Sequence, residues 1–378
     1  MARWSLEVLS TQGKDRERWH QCLANLPMAK RDVYFLPEYA ALWEAETRQP
    51  AFLFRFGDDK NEALMVAERR SVATLPFCGS AAGAAGADYY DIASPYGYGG
   101  PVVHCQDQNN EPELFIAFRE AIHEYCLKSG IVAEFLRLHP LMQNHQLFGQ
   151  DPGLYQKNCT VWIDLRQGES EILQGMKRDH RYSVKTATKR GVEAVRSDLR
   201  QDHLKEFHRL YSDSMDRRQA LPLYYFSLDF FQELAGRLPE HTTLFLATWN
   251  GKVISGHLYL RCGPYVDYYL SGSDSEHWDL KANVLTIYET ALWAKAQGHH
   301  FLHLGGGHAC ELDSVFEFKS HFSPSRAPYY MYRQVHDGAA YARLCAMKQE
   351  HDAHEAVRGG RETRKDPLLT NYFPAYRG

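Results

Sequence analysis

The run Leu302 to Pro324 reads Leu-His-Leu-Gly-Gly-Gly-His-Ala-Cys-Glu-Leu-Asp-Ser-Val-Phe-Glu-Phe-Lys-Ser-His-Phe-Ser-Pro. It gathers a histidine (His303), a carboxylate (Asp313) and a lysine (Lys319) around a glycine break, with Lys319 set between Phe316, Phe318 and Phe322. These are the groups an amine needs when it attacks an ester or thioester: something to take its proton and a fixed positive charge for the developing oxyanion, with no metal required. Two readings of the segment stand side by side. Gly305 to Gly307 line a cleft that Lys319 closes, or a strand turns into a helix and Lys319 lays its stem over aromatic rings. Asp313 likewise has three readings: it orients Lys319, takes a proton, or caps the following helix.

Three further clusters carry chemistry. Lys177, Arg178, Arg181, Lys185, Lys189 and Arg190 form the densest basic segment, interrupted by Asp179. On a helix Arg178, Arg181 and Lys185 share a face, suited to phosphates or simply solvated. Arg217 and Arg218 are a basic pair at the end of a second helical pattern. Asp91, Tyr96 and Tyr98 flank a glycine-rich turn, with Arg137 on a later strand, and make a candidate wall for a polar amine; tyrosines at a core edge would look the same.

The elements that must position these residues alternate between strand and helix. Helices are expected over residues 15–26, 37–47, 111–128, 170–190, 203–215, 228–237, 282–297 and 338–347. Strands are expected over 51–56, 63–72, 132–138, 160–165, a short stretch ending at Val195, 243–248, 253–261, 266–270, 301–304 and 329–335, with Asn250-Gly251 as a hairpin turn. The Pro/Gly/Asn-rich stretch 149–158 marks a domain boundary. The small-residue run 79–86 reads as a surface loop or a flap, and the polar stretch 348–365 as mobile.

At 378 residues the chain is long enough for two domains. A formal net charge of −4 excludes a wholesale basic surface, so nucleic-acid contact has to be local. No apolar run approaches membrane-spanning length and the first residues lack an apolar signal core, giving the expectation of a cytoplasmic protein without membrane insertion. The eight cysteines are scattered without a CxxC pair, which reads as reduced thiols. The histidines do not repeat with metal-ligand spacing, and no metal is expected.

The segment 302–324 resembles the signature of the Fem-type transferases and their FemAB-like relatives: a strand ending in Gly-Gly, then an acid, then Phe-Lys-x-x-Phe. The resemblance extends to Phe35-Leu36-Pro37-Glu38-Tyr39, Ser94 to Pro101, Phe135 to Pro140, Lys177 to Gly191 and Tyr268 to Asp274. It implies an α/β (α+β) fold of two GNAT-like domains in tandem, each a mixed, mostly antiparallel sheet flanked by helices. The expected division is 1–150, 151–325 with the Phe-Lys motif, and 326–378 packing back on the first domain. It also implies an N-acyltransferase that moves an aminoacyl group from aminoacyl-tRNA to a small amine acceptor, such as a cell-wall precursor, an amino sugar of a surface polysaccharide or a natural-product intermediate.

By the same resemblance Lys319 is the principal catalytic residue, with Asp313 and His303 beside it. Relatives usually carry an aspartate at the position of His303. Asp91, Tyr96, Tyr98, Arg137, Arg181, Arg217, Tyr268, Ser271, Gly305 and Gly306 become substrate-binding candidates. Relatives acting on peptidoglycan precursors carry a lysine near residues 39–43; this chain has none there, which argues against that acceptor. An acyl-CoA donor is the alternative, opposed by the lack of a Gln/Arg-x-x-Gly-x-Gly/Ala loop over 272–283. A non-catalytic relative that binds precursor or tRNA is the other. No cofactor and no DNA partner are expected, and a monomer or small homo-oligomer suffices.

Overall fold

The computed structural model describes residues 4–58, 60–78, 89–359 and 373–378. The chain divides into two compact units, residues 1–27, 43–157 and 329–378 forming one and residues 28–42 and 158–328 the other. The sequence division at residue 150 misses that residues 28–42 group with the second unit. Nothing in their composition separates them from the apolar helices and strands around them.

The first unit is built on strands β1 (Ser5–Ser10), β2 (Ala51–Gly57), β3 (Asn61–Ser71), β4 (Tyr90–Ala93), β5 (Val102–Cys105) and β6 (Ile131–Arg137). Neighbours run β1-β2-β3-β4-β6, with β5 also on β3 and the late strand β13 (Arg326–Val335) antiparallel to β6. The helices are α1 (Gly13–Asn25), α3 (Glu111–Lys128), α10 (Gly338–Gly359) and, from Trp43 onward, the second half of α2 (Pro37–Thr47). Helix α3 forms because Leu114, Phe115, Phe118, Ile122 and Cys126 recur on one face, which is buried against the sheet. Pro112 suits its first turn, and Gly130, at φ +67°, ends it.

The second unit contains β7 (Leu154–Asp164), α4 (Glu169–Gly175), α5 (Arg178–Lys189), β8 (Glu193–Ser197), α6 (Gln201–Arg218) and α7 (Leu228–Arg237). It continues with β9 (Thr242–Trp249), β10 (Lys252–Cys262), β11 (Tyr265–Ser273), α8 (Ala282–Ala296), β12 (Phe301–Gly305) and α9 (Ser314–Ser320). The sheet order is β7-β12-β11-β10-β9-β8. Within each unit the pairs are antiparallel except one, β4 with β6 and β11 with β12, and each parallel pair is joined through a helix as a crossover requires. The fold expectation of mostly antiparallel mixed sheets flanked by helices therefore holds, although no sequence repeat announces it.

Strand alternation sends successive side chains of β9 to opposite faces. The Phe245 ring packs against Trp293 of α8, while Leu246 lies beside Phe207 of α6 where that helix crosses Gly256. Gly256 pairs with Gly272 across β10 and β11, and a Cβ on Gly272 would stand 2.3 Å from the Leu210 carbonyl carbon of α6. Glycine at that register is what lets α6 lie directly on the sheet and deliver Arg217 and Arg218 to the end of β11.

Two expectations change. β1, β4 and β5 are strands that sequence periodicity did not mark, being short or following immediately on turns. The helical segments expected over 170–190 are α4 and α5, separated by the extended backbone of Met176 and Lys177. Residues 348–359, expected to be mobile, continue α10. The stretch 79–86 lies outside the described residues, as does 360–365. No described helix is long and apolar enough to cross a membrane.

Candidate active site

Strands β11 and β12 pair at three positions, Tyr265 with Phe301, Val266 with Leu302 and Asp267 with His303. Beyond that the ladder stops: β11 continues to Ser273 against β10, and β12 ends at Gly305, where φ is +75°. The gap where two parallel strands part is a natural ligand position, because backbone groups there are not committed to a partner strand. Helix α9 then brings Lys319 back across it. The Lys319 ammonium donates to the Gly306 carbonyl at 2.7 Å and stands 5.2 Å from the ring centre of Tyr268, the first β11 residue past the ladder. An ammonium has three donors, and Gly306 takes one of them.

Burial pulls the Lys319 pKa down to about 8; Cys310 and Asp313 oppose the shift and the Arg218 charge adds to it. A lysine in this state is mostly protonated at neutral pH yet able to give up its proton, a combination useful at a site where charge develops. The Tyr268 hydroxyl donates to Ser271 Oγ at 2.5 Å, and burial raises its pKa. Behind Tyr268 lies a buried polar layer that sequence reading did not find. The His257 ring stands edge-on to Tyr268 at 5.4 Å, with Nε2 at 3.2 Å from Asn283 Oδ1, which also accepts from Ser255 Oγ at 2.7 Å. Burial lowers the His257 pKa to about 4, so the ring is neutral at physiological pH. These residues come from β10 and α8, distant in sequence from the Phe-Lys segment. Their only signal was a histidine and a serine inside an otherwise apolar strand.

The other candidates separate into those at this gap and those elsewhere. Asp313 is the N-cap of α9: Oδ1 accepts from Val315 and Phe316 N–H at 3.0 and 2.9 Å, and Oδ2 from His308 N–H at 3.0 Å. Both oxygens are occupied by backbone, so Asp313 positions α9 and biases Lys319 electrostatically. His303 is a correction. It is 1% exposed, with Nδ1 at 2.9 Å from Asp267 Oδ1 and Nε2 at 2.9 Å from Thr160 Oγ1, which leaves neither nitrogen for an incoming amine.

Arg181 and Arg217 each spend one guanidinium nitrogen on internal bonds. Arg181 donates to the Gln174 and Met176 carbonyls and so fastens the α4–α5 break. Arg217 donates to Ser214 Oγ at 2.8 Å and the Ser273 carbonyl at 2.6 Å, locking α6 to the end of β11. Its neighbour Arg218 is exposed and is the residue whose charge acts on both Lys319 and Tyr268. The exposed residues of α5 are Arg178, Asp179, Tyr182, Lys185, Thr188 and Lys189; of these Arg178, Tyr182, Lys185 and Lys189 are spaced to share one face, with Tyr182 70% exposed among the cations.

In the first unit Asp91 is fully buried and bonds with Arg70, Arg377 and Tyr376, so it fastens the chain's last residues and is no pocket wall. Arg137 donates to the Ser94 and Pro95 carbonyls. Tyr96 stacks on Trp43 with ring centres 5.0 Å apart, and Tyr98 packs edge-on against Tyr329 at 5.6 Å.

Two clusters in the second unit bring three metal-ligating atoms within 4.8 Å of one another, Asp179–His180–His321 and Asp274–Glu276–His277. Each already has an internal partner: His321 Nδ1 lies 2.7 Å from Asp179, and Lys252 2.8 Å from Asp274. A cavity of about 470 Å³ lined by Arg190, Trp249, Glu276, His277, Asp279 and Leu280 shares no lining residue with the Lys319 gap.

Residues 174–320 match the family model described as acetyltransferase (GNAT) domain. The whole fold resembles the crystal structure of FemX at 16% identity and TM-score 0.62, covering 88% of this chain and 96% of that one. It also resembles a conserved protein of unknown function from Bacteroides thetaiotaomicron, at 10% identity and TM-score 0.53, over 84% of this chain and 96% of that one. A third likeness is L-PGS from Bacillus licheniformis, at 12% identity and TM-score 0.51, covering 86% and 92%. No curated protein sequence matches the chain.

Proposed function

We propose that this chain, in which residues 174–320 match a GNAT acetyltransferase domain and whose fold resembles FemX, is an acyltransferase that moves an aminoacyl group from aminoacyl-tRNA to the amine of a small acceptor. The observation that carries the reading is Lys319, held between the Gly306 carbonyl and the Tyr268 ring where β11 and β12 part. The acceptor nitrogen attacks the ester carbonyl carbon, and the Lys319 ammonium stabilises the oxyanion. As the C–O bond to the ribose breaks and the amide C–N bond stays, Lys319 gives a proton to the ribose oxygen and recovers one from the acceptor nitrogen. The proton count closes without a cofactor.

The donor assignment is supported by the α5 face, where Arg178, Lys185 and Lys189 surround the exposed Tyr182. Cations with an interleaved aromatic suit a phosphate backbone and an unstacked base. An acyl-CoA donor is the second reading, favoured by the acetyltransferase description of the matched domain. Incubating the protein and an amine acceptor with charged tRNA, then with acyl-CoAs, separates the two: the tRNA reading fails if only an acyl-CoA is consumed.

A further inference from the structure

The first unit buries an acid that the catalytic reading does not use. Glu68 of β3 pairs with Ala93 of β4, and Ala93 pairs with Phe135 of β6. Strand alternation therefore places Glu68, Arg70, Asp91 and Arg137 on one face of the sheet. Arg70 and Asp91 bond to each other. Glu68 is only 6% exposed, yet its Oε1 has no hydrogen-bond partner. On the same face Arg137 spends Nη2 on the Ser94 and Pro95 carbonyls, while its Nε, also buried, has no partner.

A buried carboxylate oxygen and a buried guanidinium Nε, each without a partner on one sheet face, are unusual, since buried polar atoms are nearly always satisfied. Burial lifts the Glu68 pKa to about 7; Arg137, Arg70 and the Thr47 hydroxyl work against this, and Glu44 of α2 adds to it. The surroundings are aromatic. Trp43, one turn before Thr47 on α2, stacks on Tyr96, which follows the Pro95 carbonyl that Arg137 holds.

We propose that Glu68 and Arg137 bind a small ligand carrying a primary amine next to an oxygen acceptor, the amine donating to Glu68 Oε1 and the oxygen accepting from Arg137 Nε. Amino sugars and amino-acid derivatives share that chemistry. The site consists of first-unit residues alone and holds whichever donor Lys319 serves.

Ligand-observed NMR on the full chain tests it with glucosamine and alaninamide against their N-acetylated counterparts, in wild type, Glu68→Gln and Lys319→Ala. Wild type binds at least one amine at pH 7.5, at least tenfold more tightly than its acetylated form. Glu68→Gln removes that preference, Lys319→Ala keeps it, and affinity falls as pH drops through about 7, where Glu68 takes a proton. Which amine binds names the ligand class. Glu68→Gln also melts at or above the wild-type temperature, because it removes a buried acid whose Oε1 lacks a partner. Neither amine binding at millimolar concentration, or equal binding to Glu68→Gln, overturns the proposal and leaves water between the two side chains. A Glu68→Gln variant that retains binding but melts several degrees lower shows a structural acid and overturns it equally.

Discussion

Lys319 stands over Tyr268, its ammonium 5.2 Å from the ring centre, with the Gly306 carbonyl accepting one of its protons. A ring face and one carbonyl replace only part of the water that the charge has given up, which is why the Lys319 pKa falls to about 8. The unfolded chain holds that proton up to its ordinary value of 10.5, so in this range the folded state binds fewer protons. The cost of burying the charge is complete below pH 8 and fades as pH climbs towards 10.5.

Lys319→Met is therefore expected to stabilise the protein by about 1–3 kcal/mol at pH 7 and to lose turnover. Urea unfolding at pH 7 and pH 10.5 checks the sign, because the advantage over wild type shrinks at the higher pH. In wild type the rate should fall as pH rises through the Lys319 pKa of about 8. A destabilised Lys319→Met would mean that Lys319 is a structural residue.

Asp313 offers both oxygens to backbone N–H groups at the start of α9. Asparagine caps a helix nearly as well as aspartate, whereas alanine costs about 1 kcal/mol. Asp313→Asn is expected to retain most activity and Asp313→Ala to lose stability. Removing the anion also lets the Lys319 pKa drop further, moving the alkaline limb of the rate profile down in pH. An inactive but stably folded Asp313→Asn would identify the carboxylate as a proton carrier.

Arg217 and Arg218 are adjacent and have different duties. Arg217→Ala removes one bond within α6 and one from α6 to β11 and should cost about 1–3 kcal/mol. Arg218→Ala should stay within about 0.5 kcal/mol of wild type while lowering kcat/KM, since its charge acts on Lys319 and Tyr268. Thermal unfolding and steady-state kinetics on the pair separate the two roles.

On α5, replacing Arg178, Lys185 and Lys189 with glutamine should raise KM for charged tRNA and flatten its salt dependence. Tyr182→Ala should weaken tRNA binding by about 1–3 kcal/mol without altering the salt slope. Unchanged KM in both variants would return this helix to the status of a solvated face.

Much of the fold was legible because its periodicities are long. Helices α3 and α8 and strands β9 to β11 each show their pattern within a single window, and Asn250 and Gly251 both take the positive φ their hairpin turn needs. The site was legible as far as it is local: Gly305, Gly306, Asp313 and Lys319 lie within one short segment. What was missed depends on register and approach. That His303 faces Asp267 and Thr160 follows from strand pairing, and that Arg218 reaches the site while Arg217 anchors the helix follows from how α6 crosses Gly272. Neither is encoded in a contiguous pattern. Glu68 lies in a strand read from its β-branched and apolar residues, and only the sheet shows that it is buried.

The most direct test is donor consumption: purified protein with amine acceptor and a pool of tRNA charged with radiolabelled amino acids, in wild type and Lys319→Ala. The account predicts accelerated loss of one aminoacyl-tRNA with label appearing in an amide, abolished in Lys319→Ala while the variant still folds and binds tRNA. Transfer that persists undiminished in a folded Lys319→Ala protein would contradict it.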